Sequence, residues 1–81
     1  MLTVLATEDV NRETIKAILN KYLEGYTVAE AAGVWRGVPE NSLLIYIAGV
    51  AYVNEIVEAI KTQNKQESVM VMTFPCNIEF K

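Results

Sequence analysis

The stretch Gly25-Tyr26-Thr27-Val28-Ala29-Glu30-Ala31-Ala32-Gly33-Val34-Trp35-Arg36-Gly37-Val38-Pro39-Glu40-Asn41-Ser42-Leu43-Leu44-Ile45-Tyr46-Ile47 decides the fold of this chain. It predicts a long β-hairpin, with one strand from Tyr26 to about Arg36 and a return strand from Ser42. The turn is expected through Gly37-Val38-Pro39-Glu40-Asn41, because proline presets φ for a turn and Glu40 and Asn41 suit one. A strand-like segment flanked by two helical patterns is a hairpin signal.

Upstream, Leu2 to Ala6 reads as a first strand. Thr7-Glu8-Asp9 then supplies capping oxygens and acidic charge ahead of a helix, and Asn11 is an equally good cap. Ile15, Ile18, Leu19, Tyr22 and Leu23 recur at spacings of three and four, the signature of one buried helical face. Gly25 is expected as the left-handed residue that ends this helix.

Downstream, Ala48-Gly49-Val50-Ala51 breaks the strand, and a second helix starts between Tyr52 and Glu55. Val53, Ile56, Val57 and Ile60 form its apolar stripe, while Glu58 and Lys61 can pair across one turn. Gln63 to Ser68 is a polar connection. Val69 to Thr73 is a fourth strand, and beyond Pro75 the alternation Cys76-Asn77-Ile78-Glu79-Phe80 reads as a short C-terminal edge strand.

The predicted order is β-α-β-β-α-β within one α+β domain spanning 1–81. It corresponds to a ferredoxin-like sandwich: a four-stranded antiparallel sheet with two helices on one face. Alternate strand residues point to opposite faces. Leu43, Ile45 and Ile47 therefore point one way and Leu44, Tyr46 and Ala48 the other, and Val69 and Val71 oppose Met70 and Met72. Both faces are apolar, yet two helices cover only one, so a second subunit is the expected cover for the other. The branched aliphatics suit the helix-covered core, which assigns Tyr46 to the open face.

Composition bounds the function. Eighty-one residues fill one core, and such a domain buries only roughly 60–65% of its unfolded surface. Hydrophobic residues nonetheless make up 52% of the chain and the mean hydropathy is positive, which again points to surface hidden against another copy. A net charge of −3 argues against a nucleic-acid partner. No apolar run approaches the ~18–20 residues of a membrane span, and Met1-Leu2-Thr3 carries no charged leader or cleavage site, so a soluble cytoplasmic protein is expected. The single cysteine, Cys76, forms no internal disulfide and has no cationic cluster beside it to activate a thiolate. There is no histidine, which removes the commonest general base and metal ligand. No catalytic residues, cofactor or metal site are assigned.

Gly25-Tyr26-Thr27-Val28-Ala29-Glu30-Ala31-Ala32-Gly33 resembles the G-x-T-V-x-E-x-x-G stretch of the PII signalling proteins, ferredoxin-like trimers whose structural cousins are the divalent-cation tolerance proteins. Trp35-Arg36-Gly37 and Gln66-Glu67-Ser68-Val69 are similar to small bacterial domains of unknown function with that architecture. The resemblance implies a homo-oligomer, with a trimer ahead of a dimer. Two departures matter. The long T-loop of PII proteins is replaced by a tight turn, and their basic, glycine-rich phosphate site by Asn64-Lys65-Gln66-Glu67. No nucleotide-binding residues carry over, and ATP is not expected to bind.

Six residues are candidates for a ligand site or an interface. Trp35 and Arg36, expected on opposite faces near the hairpin tip, could form a stacking platform and an anion clamp, or simply pack and pair. Glu30, between alanines, either meets a partner (Arg36, an amide or another subunit's lysine) or supports proton transfer. Tyr46, Met70 and Met72 suit an oligomer interface or an adaptable ligand surface. Tyr22, Tyr26, Tyr46 and Tyr52 could line a pocket, or be half-buried core residues. Three functions are weighed: a non-catalytic homo-oligomer binding a small molecule or protein, a scaffolding protein of a phage or mobile element, and a dimeric α+β-barrel enzyme acting through Tyr, Glu or Arg.

Overall fold

A computed structural model describes all residues, 1–81. Its elements are β1 (Leu2–Glu8), α1 (Arg12–Tyr22), β2 (Thr27–Trp35), β3 (Val38–Ala48), α2 (Val53–Gln63) and β4 (Met70–Phe74). The strands form one sheet in the order β2-β3-β1-β4, antiparallel throughout. This is the ferredoxin-like α+β arrangement that the alternation of periods two and 3.6 predicts.

β1 lies between β3 and β4, with Leu5 opposite both Ile45 and Val71. Paired residues share a face, so Thr3, Leu5 and Thr7 join Leu43, Ile45 and Ile47 beneath the helices. Leu5, Leu43 and Ile45 are fully buried there with Ile15 and Leu19 of α1 and Ile56 and Ile60 of α2. The parity reading of β3 is therefore correct. Of the two buried threonines on this face, the Thr3 hydroxyl donates to the Gly49 carbonyl at 2.6 Å, while the Thr7 hydroxyl has no partner. Buried Asn64, at the end of α2, donates to the Val10 carbonyl at 2.7 Å and ties that end to the approach to α1. No helix is long and apolar enough to cross a membrane.

Several local expectations are corrected. The turn is not Gly37 to Asn41 but Arg36-Gly37 alone, with φ of 52° and 78°, and Trp35 pairs with Val38. Two positive φ values make a type I′ turn, whose twist matches that of the strands. Pro39 and Glu40 are thus strand residues, opposite Val34 and Gly33. Backbone groups alternate along a strand, and the Asn41 carbonyl points to β1, accepting from the Asp9 N–H at 2.8 Å. Pro39 has the same parity, so its missing N–H costs no bond to β2.

Neither Asp9 nor Asn11 caps α1 through its side chain. Asn11 is left-handed (φ 52°), and its carbonyl accepts from Thr14 and Ile15. Gly25 is not left-handed, because Leu23 already ends the helix in an extended conformation. Finally, residues 75–81 form no strand. A hairpin straight after Phe74 would need a positive-φ turn residue, and Pro75-Cys76 supplies none. Phe80 is consequently 88% exposed.

Candidate functional site

The hairpin is longer than the sheet it belongs to. Glu8, the last residue of β1, pairs with Ser42, so Val38–Asn41 and their partners in β2 project beyond β1. β4 starts at the same end of the sheet, and the segment linking α2 to β4 stands opposite the projecting hairpin. The two meet: the Arg36 guanidinium lies 3.5 Å from the Glu67 carboxylate. Both side chains are largely exposed, so the pair is a weak latch, worth about 0–1 kcal/mol. It joins the two segments, Trp35-Arg36-Gly37 and Gln66-Glu67-Ser68-Val69, singled out above.

Beneath the latch is a groove of about 770 Å³. The register places its surfaces on the face without helices. Ala6, Leu44, Met70 and Met72 make an apolar floor, while Glu8, Ser42 and Glu40 rise along one side and Trp35 stands near the hairpin end. Gly33 matters for shape. A β-carbon there would run into the Ser42 hydroxyl and lie 3.7 Å from Cγ of Glu40, so its absence lets these two side chains lean over β2. Lys65, at the rim, is left-handed like Arg36 (φ 53° and 52°). Strained backbone of this kind clusters at ligand clamps and turns.

The six sequence candidates divide. Trp35, Met70 and Met72 line the groove, and Arg36, in the turn rather than on the opposite face of a strand, pairs with the lining residue Glu67. Its guanidinium carbon sits 5.5 Å from the Trp35 ring centroid, so the two are stacked partners, not independent. Tyr46 is on the open face but outside the groove, 37% exposed and opposite Val4 and Thr27. Glu30 lies elsewhere, on the helix side. It accepts from Arg12 at 2.8 Å, while Arg12 also binds Asp9, with Nε donating at 3.1 Å. The hydrogen bond from Arg12 holds the Asp9 carboxyl below its usual range, and Asp9 more than Glu30 raises the pKa of the guanidinium. This triad fastens the start of α1 to β2.

The tyrosines do not share a pocket. Tyr22 and Tyr52 pack ring to ring at 5.7 Å beside the helices, and Tyr26 donates to Asn20 at 2.7 Å. Glu8, Glu40 and Lys65 are groove residues that the sequence reading placed in a cap, a turn and a linker. Arg36-Gly37 held the missed signal: a residue followed by glycine at the centre of a hairpin fixes Glu40 as a strand residue facing with Ser42.

The rest of the open face adjoins the groove and shares Met72 with it. Leu2, Ala48 and Phe74 form a row by register, and Val4, Tyr46 and Met72 the next, both towards the end away from the hairpin tip. Neither helix reaches this face. Phe74 is 46% exposed.

Among solved structures, this chain is similar to the crystal structure of a DUF3240 family protein from Shewanella baltica OS155, with a TM-score of 0.70. The two are 18% identical, over 99% of this chain and 94% of that one. It is also similar to a functionally unknown protein from Pediococcus pentosaceus ATCC 25745, with a TM-score of 0.57 and 14% identity over 98% and 95% of the two chains. At such identities the likeness shows the fold alone. No family model matches the chain, and no curated protein matches it.

Proposed function

We propose that this domain is a non-catalytic, homo-oligomeric module of PII-like build that holds a small molecule or a protein partner. The observation carrying the proposal is the sheet face without helices, whose rows Leu2-Ala48-Phe74 and Val4-Tyr46-Met72 are apolar and leave Tyr46 and Phe74 exposed, although Val4 is buried. Apolar residues from three strands side by side favour burial against another copy. A trimer is placed ahead of a dimer on the hairpin resemblance. The groove under the Arg36–Glu67 latch is then the binding element, next to the assembly surface and sharing Met72 with it.

An enzyme reading through Glu30, Arg36 and Tyr46 loses its support because these three do not converge: Glu30 pairs with Arg12 on the helix side, while Arg36 and Tyr46 lie at separate places. Light scattering on a sizing column tests the assembly. A mass that is a multiple of the 9.1 kDa chain is expected at micromolar concentration, and a monomer overturns the proposal. A metabolite panel read by melting temperature separates a ligand binder from a scaffold, for which nothing in the panel should shift the transition.

A further inference from the structure

We propose that the groove under the latch takes a small organic cation with an apolar body, of the arylalkylammonium class. The inference deepens the reading above and rests on it only in treating the domain as one that holds a ligand. It begins with two carboxylates. Glu8 pairs with Ser42 across β1 and β3, and Glu40 lies two residues before Ser42 on the same face. The two are therefore diagonal neighbours on one surface, a spacing at which side chains interact across strands. Both are half-buried, and neither carboxylate has an ion-pair or hydrogen-bond partner in the chain. Both are acceptors with no donor from the chain, and both line the groove. A cation seated between them gains charge-assisted hydrogen bonds.

The remaining lining fits the rest of such a molecule. Leu44, Met70 and Met72 form a floor that adapts to an apolar body, since thioether side chains are flexible and polarisable. Trp35 presents a π-face at the hairpin end, and its ring already accommodates the Arg36 guanidinium. With Glu67 paired to Arg36, Glu8 and Glu40 still outnumber Lys65 among the charged lining residues, which disfavours phosphates and carboxylates. The volume, about 770 Å³, lies within the range of small-molecule sites.

Trp35 is the only tryptophan, so its fluorescence reports on the groove directly. Phenethylammonium is titrated at neutral pH and low salt, beside its near-isosteres 2-phenylethanol (neutral) and phenylacetate (anionic). The expected result is saturable binding of the ammonium, weakened about tenfold or more in the alcohol and in Glu40→Gln, and abolished in the anion and in the Glu8→Gln, Glu40→Gln double variant. Equal binding of all three probes would mark a merely apolar groove and overturn the proposal. So would failure of the ammonium to saturate through the millimolar range, or wild-type binding by the double variant. The charge series on the wild-type protein decides the matter if a variant does not fold. Light scattering on the same samples keeps the two readings apart: a monomeric mass removes the assembly proposal and leaves the titration result standing.

Discussion

Replacing Tyr46 by glutamate separates a covered sheet face from a wet one. Tyr46 stands between Val4 and Thr27 in register, and nearly two thirds of it is covered within the chain. Losing roughly 100 Å² of buried aromatic surface at ~25 cal/mol per Å² gives an upper bound of about 2.5 kcal/mol. The methylenes of glutamate recover part of this, and the new carboxylate of a lone chain reaches water. A single chain should therefore lose about 1 kcal/mol, a modest cost for a partly exposed position. If a second copy covers the row Val4-Tyr46-Met72, the carboxylate is instead trapped against apolar neighbours, at an additional cost of about 3–5 kcal/mol per site. That weakens association between about a hundredfold and a few thousandfold. Light scattering across a concentration series, paired with urea unfolding, reads both quantities. The expected outcome is a variant that elutes as a 9.1 kDa monomer where the wild-type protein does not, with a lower and less concentration-dependent midpoint. A variant of wild-type mass that loses no more than about 1 kcal/mol refutes the covered face, because a carboxylate cannot be buried there so cheaply.

Four further outcomes are expected. Leu5→Ala, on the central strand and fully buried, should cost about 2.7–5 kcal/mol by urea unfolding, while Leu44→Ala on the opposite face should cost less than half as much; similar losses would contradict the two-faced sheet. Gly37→Ala places a β-carbon at φ 78° and should cost about 1–2 kcal/mol, whereas a neutral result would mean the turn is not type I′. Arg12 depresses the Asp9 pKa from 3.8, so the unfolded chain binds that proton more tightly; the pairing stabilises fully above the unfolded value and is lost as pH falls through the lower, folded one. Acid unfolding should accordingly be less steep in Asp9→Asn, and an unchanged acid limb would show that the pair contributes nothing. Calorimetry should detect no ATP binding, since with Glu67 paired to Arg36 the groove still sets two glutamates against one lysine, and micromolar affinity would overturn that electrostatic reading.

The sequence by itself determined the faces of this protein. Side chains alternate with period two whatever surrounds a strand, so Leu43, Ile45 and Ile47 had to oppose Leu44, Tyr46 and Ala48. Likewise Ile15, Ile18 and Leu19, at helical spacing, had to share a buried side. The element order followed from where those periods change, and with it the sheet. Tertiary structure alone decided what meets across the elements. Arg36 accepts a left-handed backbone that its own propensity disfavours, which moves the turn by several residues and turns Pro39 and Glu40 into strand residues. That shift sets the register that brings Glu40 beside Glu8, although 32 positions separate them in the chain. Arg12 finds Glu30 rather than Arg36 doing so, because α1 packs over the start of the hairpin and not its tip. Glu67 reaches Arg36 only because the projecting hairpin and the segment before β4 leave the sheet at the same end. Periodicity is local and survives in the sequence, whereas register and the closing of a groove depend on how distant segments are held in space.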